Sequence, residues 1–197
     1  MSLDVETVPA TAKAREEANS FLARFHGVRA AIPPIVELTP FPELLPRSIT
    51  VATRDELGGL IGVATACIRI KPVPEIAKQI GIERAIVWAQ RWRLFTHMAV
   101  DPRYRRQGIG RSLVERLEAE SRADGARGFL GFAEDLPEPS WPFYEALGYQ
   151  ISEPGEGVYV GGVYTLQEPG IRAGRDFLRI FPKTDTPEIE RFTKGKP

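Results

Sequence analysis

The feature that most restricts this chain is a change of hydrophobic period between residues 93 and 124. Arg93 to Val100 is a largely apolar run of strand length, ended by Asp101-Pro102. From Ile109 to Asp124 the pattern becomes helical, with Ile109, Leu113, Val114 and Leu117 on one face. Glu118, expected on the outer face of the helix, and Arg122 lie four apart in the favourable order, and Gly125 supplies the stop. Between strand and helix stands the basic turn Arg103-Tyr104-Arg105-Arg106-Gln107-Gly108-Ile109-Gly110-Arg111-Ser112. Its glycines open the helix, whose first-turn N–H groups and positive dipole end face outward. Glycine lets an anion approach that backbone, and Arg103, Arg105, Arg106 and Arg111 add positive charge. The turn therefore reads as an anion cradle.

The flanking sequence fits a mixed α/β domain. Residues 3 to 8 suggest a short first strand, and Thr11 to His26 a helix carrying Ala14, Ala18, Phe21, Leu22 and Phe25. Gly27 would stop that helix, and five prolines between 33 and 46 forbid a long one there, leaving room for a turn at Glu43 to Leu45. Ser48 to Arg54 and Leu60 to Ile70 read as a hairpin around Gly58-Gly59. An irregular excursion is expected from Lys71 to Glu75, then partly helical sequence to Gln90, broken near Gly81. Gly128 to Ala133 reads as a strand, Glu138 to Leu147 as a helix stopped by Gly148, and Tyr149 to Ser152 as a further strand. Gly155, Gly157, Gly161 and Gly162 imply a loose hairpin, and Asp176 to Phe181 a last strand before a polar tail.

Composition removes several classes of function. The 197 residues carry 26 basic and 26 acidic side chains, without the excess of positive charge a general nucleic-acid binder needs. A single cysteine, Cys67, forbids an internal disulfide and suits a reducing compartment. Two histidines and that cysteine cannot build an all-His/Cys zinc site, so no metal is expected. Apolar runs such as Ile61 to Ile70 are too short to span a bilayer, and the first residues lack a basic-then-apolar signal. A soluble, cytoplasmic protein without membrane or nucleic-acid partners is expected.

Two familiar phosphate loops fail at the glycine turn. A Walker loop needs a lysine before its Ser/Thr and an earlier glycine, where this chain has Arg111 and Arg105. A dinucleotide fingerprint needs a third glycine at Leu113. Arg105, Gly108 and Gly110 instead satisfy the pattern Arg/Gln-x-x-Gly-x-Gly/Ala, which resembles the signature of the GNAT superfamily of acyl-CoA-dependent N-acyltransferases. Further on, Trp141-Pro142-Phe143-Tyr144-Glu145-Ala146-Leu147-Gly148-Tyr149 resembles the same family's second signature. Both occur in register, with one helix and one strand between them, over residues 92 to 152.

The resemblance implies a GNAT-like, mostly antiparallel central sheet flanked by helices on both faces. It implies one N-acetyltransferase domain over residues 1–197, with a cofactor-binding core at about 92–152 and an irregular C-terminal extension from about 153. Acetyl-CoA would be the co-substrate, held by Met98, Ala99 and Val100 and by the cradle Arg105, Arg106, Gln107, Gly108, Ile109, Gly110 and Arg111. The phenol of Tyr144 would donate a proton toward the coenzyme sulfur. Where the family often has asparagine this chain has Pro137, which leaves Ser140 to grip the pantetheine arm. Pro137 and the lack of a base on the strand favour an inactive acyl-CoA-binding module, whereas Tyr144 favours an enzyme.

An amine of pKa near 10 must lose a proton before it attacks. When the family places a base on this strand it stands where Thr96 or Leu94 stands here, so His97 is expected on the opposite face. Glu134 and Asp135 read as solvated carboxylates and His26 as surface or helix end. The acceptor would be a small-molecule or peptide amine, and the resemblance also admits a homodimer. Trp88, Trp92 and Phe41 read more readily as core than as an acceptor pocket.

Overall fold

The computed structural model describes residues 4–26, 48–68, 73–134, 139–153, 156–165, 174–181 and 191–193. In chain order the elements are β1 (Val5–Thr7), α1 (Ala12–His26), β2 (Ile49–Arg54), β3 (Leu60–Ile68), α2 (Val73–Ile80), α3 (Ile82–Arg91), β4 (Trp92–Val100), a 3-10 turn (Pro102–Tyr104), α4 (Ile109–Ala123), β5 (Gly128–Glu134), α5 (Trp141–Ala146), β6 (Gln150–Ile151), β7 (Gly157–Val160), β8 (Val163–Thr165), β9 (Gly174–Ile180) and β10 (Arg191–Thr193). Seven strands hydrogen-bond in the order β1-β2-β3-β4-β5-β9-β6, and β10-β7-β8 form a second sheet. The pairs β1–β2, β2–β3, β5–β9 and β6–β9 are antiparallel, and β4–β5 is parallel. This is the mixed, mostly antiparallel α/β fold that the sequence implied.

The chain forms two compact units, Met1–Ile68 with Thr96–Asp124, and Arg69–Phe95 with Gly125–Pro197. In the first unit, α1 buries Ala18, Phe21 and Leu22 against Ala52, Val63 and Ala99 of the strands. Val63 points to α1, so its neighbour Gly62 points the other way, and there α4 packs. At the hairpin, Arg54 donates to Glu6 and forms a two-pronged ion pair with Glu17, tying β2 to β1 and α1. Glu118 departs from the sequence expectation of an outer-face residue. It is buried, and its carboxylate pairs with Arg122 at 3.1 Å.

In the second unit, aromatic rings and glycines interlock. Trp88 and Trp92 are core residues, as expected, and the Trp88 indole N–H donates to the Val160 carbonyl at 2.9 Å. The Gln79 amide donates to the Tyr164 carbonyl and accepts from its N–H, so α2 covers the edge of β8 as a strand would. Several boundaries differ from expectation. α2 begins at Val73 rather than at Glu75, because Pro74 falls in a first turn, where a missing N–H costs little. The break at Gly81 is real, with φ at 83°. α5 starts at Trp141, leaving Pro139 and Ser140 outside the helix. The glycine hairpin is tight, since Gly161 and Gly162 both take positive φ in a two-residue β7–β8 turn. β9 is not the last strand: it lies between β5 and β6, and β10 follows it to pair with β7. Gly27, the proline-rich stretch 33–46 with Phe41, Asp135 and Pro137 lie outside the described residues, as do the side chains of His26 and Glu134.

Candidate active site

The cradle is assembled within the first unit from the end of β4. Ala99 faces α1, whereas Met98 and Val100 alternate onto the other face and are half-buried. Asp101 N–H donates to the Ile61 carbonyl at 2.9 Å, its last tie to β3. The Asp101 carboxylate then caps the 3-10 turn, accepting from the backbone N–H of Arg103 at 3.0 Å and from its guanidinium at 3.1 and 2.8 Å. These charge-assisted bonds lower the Asp101 pKa to about 2. Arg103 is thereby committed to the turn and is not the free positive charge that the sequence suggested. Tyr104 bonds Asp55 of the β2–β3 hairpin at 3.4 Å, and the Arg105 side chain reaches back to the Val100 carbonyl at 3.3 Å.

Beyond this brace the backbone turns through two left-handed residues, Arg106 at φ 63° and Gly108 at φ 84°. Left-handed geometry on an arginine costs about 1 kcal/mol, and glycine adopts it without penalty. Among the described residues, and apart from its chain neighbours, a Cβ at Gly108 would meet no atom within 4 Å, so backbone angle and not packing demands glycine there. Ser112 N–H is the first to close on the helix, at 3.1 Å from the Gly108 carbonyl. The N–H groups of Ile109, Gly110 and Arg111 precede it and have no intrahelical acceptor. Arg105, Arg106, Gln107, Gly108 and Arg111 are exposed and Gly110 is half-exposed, whereas Ile109 is buried and anchors the helix. Free N–H donors, a positive helix end and exposed guanidiniums match a phosphate-bearing ligand.

Gly62 makes this arrangement possible. A Cβ there would stand 2.9 Å from both Ile109 Cγ2 and Leu113 Cδ1, so the bare strand backbone lets the first turn of α4 settle onto β3. The sequence reading passed over Gly62. The available signal was a lone glycine inside a β-branched run, which marks a close approach.

In the second unit, α5 presents Tyr144, 7% exposed, with its ring stacked 4.1 Å from Phe177. Burial raises the Tyr144 pKa well above its usual value, so the phenol stays protonated. Ser140 is exposed at the start of α5, where its carbonyl accepts from Phe143 N–H at 3.2 Å. Phe177 was missed in the sequence because nothing local announces its partner, 33 residues away by number from Tyr144.

His97 is half-buried and shares the strand face of Ala99, opposite to Thr96. Thr96 donates its only hydroxyl proton to the Thr65 carbonyl at 2.9 Å, so it can accept from a water but not pass that proton on. Among the described residues, no group of three His, Cys, Asp or Glu could hold a metal, and no helix is long and apolar enough to cross a membrane.

A family model described as the acetyltransferase (GNAT) domain matches residues 46–151, more than half of the chain. The chain is a GNAT acetyltransferase. Solved structures agree in fold with this acetyltransferase. An aminoglycoside 6'-acetyltransferase type Ii superposes with a TM-score of 0.59 at 18% identity, over 92% of this chain and 100% of that one. The ribosomal-protein-S18-alanine N-acetyltransferase of Escherichia coli gives 0.51 at 18% identity, over 90% and 91%. A GNAT-family acetyltransferase of Staphylococcus aureus gives 0.55 at 14% identity, over 90% and 99%. No curated protein matches the sequence significantly. Family membership makes the protein an acyltransferase by class.

Proposed function

We propose that this enzyme transfers an acetyl group from acetyl-CoA to an amine by direct attack on the thioester. The observation that carries the reading is the start of α4, where N–H groups without intrahelical acceptors follow two left-handed residues. That cradle, Arg105 to Arg111, takes the pyrophosphate of the coenzyme, and the backbone of Met98 to Val100 takes the pantetheine arm and thioester carbonyl. Ser140, an exposed residue just ahead of α5, is assigned to the same arm. The neutral amine forms the N–C bond, the tetrahedral oxyanion collapses, and the C–S bond breaks to release the thiolate. Tyr144 donates toward that thiolate, and the proton lost by the amine passes to solvent. A phenol with a raised pKa is a weaker acid than a thiol of pKa about 8.5, so complete transfer to the free thiolate is uphill. The hydroxyl acts on the charge developing at sulfur as the C–S bond breaks, and a phenolate so formed regains its proton from solvent. The single, buried Cys67 suits a cytoplasmic setting.

The test is a thiol-release assay with acetyl-CoA against amines, amino acids, peptide N-termini and aminoglycosides. Acceptor-dependent release of coenzyme A is expected for one of these classes. Tyr144→Phe should then lose roughly 10²-fold in kcat with coenzyme affinity unchanged. Failure to bind coenzyme A by calorimetry, together with no release on any acceptor, would overturn the proposal.

A further inference from the structure

α5 has only six residues, too few to hold its own shape, so what it packs against decides where the Tyr144 hydroxyl points. That support is β9, which belongs to the C-terminal extension. Arg175, Phe177 and Arg179 alternate along β9 and so share one face. They contact the start, middle and end of α5 in order. The Arg175 guanidinium lies 4.7 Å over the Trp141 ring. Phe177 stacks on Tyr144 with centroids 4.1 Å apart and planes 14° from parallel. Arg179 donates to the Leu147 carbonyl at 2.5 Å and covers Tyr149 at 5.2 Å.

The Phe177 ring is itself seated. It lies across Gly131 of β5, its register partner, where a Cβ would come within 2.1 Å of the ring Cζ. Phe95 closes the side, edge-on to Tyr144 at 5.6 Å and to Phe177 at 5.8 Å. Tyr149 meets both rings edge-on at 5.7 and 5.4 Å. The Tyr144 ring therefore has a flat face covered and two edges walled, and its hydroxyl has no hydrogen-bond partner among the described residues to orient it instead.

We infer that Phe177, seated on Gly131, is a positioning residue that aims the Tyr144 hydroxyl, so that the C-terminal strand β9 takes part in acyl transfer. The inference rests on the reading of Tyr144 as proton donor. Phe177 touches no reacting atom and acts only through the ring it supports.

The test is a double-mutant cycle between Phe177→Leu and Tyr144→Phe, with Phe177→Met as a volume-conserving variant should leucine fail to fold. Phe177→Leu should lower kcat with acetyl-CoA by about tenfold or more while its KM stays within about threefold. In the Tyr144→Phe background it should cost nothing further. The loss should shrink with an acetyl donor whose thiol is more acidic, such as an aryl thioester, a dependence that mere loosening of the fold would not produce. Gly131→Ala, which keeps Phe177 but lifts its ring, should reproduce the pattern. Equal slowing by Phe177→Leu in both backgrounds overturns the inference and leaves the proton-donor reading standing. Undiminished kcat in Tyr144→Phe alone overturns the proton-donor reading, and shows itself before Phe177 is touched.

Discussion

Gly62 offers the sharpest test of how the strand backbone sets the cradle. In Gly62→Ala the new methyl would stand 2.9 Å from Ile109 Cγ2, 2.9 Å from Leu113 Cδ1 and 3.3 Å from Thr53 Cγ2. Carbon atoms prefer about 3.5–4.0 Å, so two contacts are short by roughly 0.6 Å or more. Leu113 can swing its terminal methyl, but Ile109 is β-branched in a helix and has essentially one rotamer. The first turn of α4 must therefore back away. Overpacking of this kind costs about 1–3 kcal/mol, offset by about 0.4–1 kcal/mol from the stiffer unfolded chain. Net destabilisation of about 1–2 kcal/mol is expected from urea unfolding. Because Ile109 leads the turn whose N–H groups face the ligand, the same shift should weaken one charge-assisted hydrogen bond. Coenzyme A binding by calorimetry should weaken roughly tenfold, or about 1.4 kcal/mol. A variant with parental stability and parental affinity would refute the close-approach argument.

The remaining predictions concern the cradle and its strand. Gly108→Val, strained at φ 84° whatever the space, should weaken coenzyme A binding strongly, while Ala119→Ser on the exposed face of α4 leaves calorimetric affinity unchanged. Asp101 has a folded-state pKa lowered to about 2, first by the Arg103 side chain and then by its backbone N–H. Its stabilising contribution is full above the unfolded value of about 4 and disappears as pH falls toward 2. The stability gap between parent and Asp101→Asn should therefore narrow between pH 4 and 2 in urea titrations, and a constant gap would contradict the assignment. His97→Gln should keep acetyl transfer within about tenfold, its main effect falling on thermal stability; a folded variant slowed a thousandfold would make His97 the base.

Much of the fold was legible because it rests on local pattern. The period change at residues 93–124 announced β4, the turn and α4 almost to the residue, since each is governed by the spacing of apolar side chains and by two glycines. Phe143-Tyr144 ahead of Gly148 was equally visible, although α5 proved shorter than its sequence because Pro139 and Ser140 precede the helix. Pro74 misled in the other direction, as prolines do when they fall in a first turn.

What sequence alone determined is therefore the order of elements, the glycine cradle and the two signatures, each encoded within a window of about ten residues. Tertiary structure alone decided the contacts that aim those parts. Gly62 meets Ile109 across 47 positions, and Gly131 meets Phe177 across 46. β9 inserts between β5 and β6, and Glu118 lies buried rather than on the outer face. The reason is physical: a glycine in a strand carries no side chain to declare its partner. Whether it marks slack or a close approach depends on which ring or helix the rest of the fold lays across it.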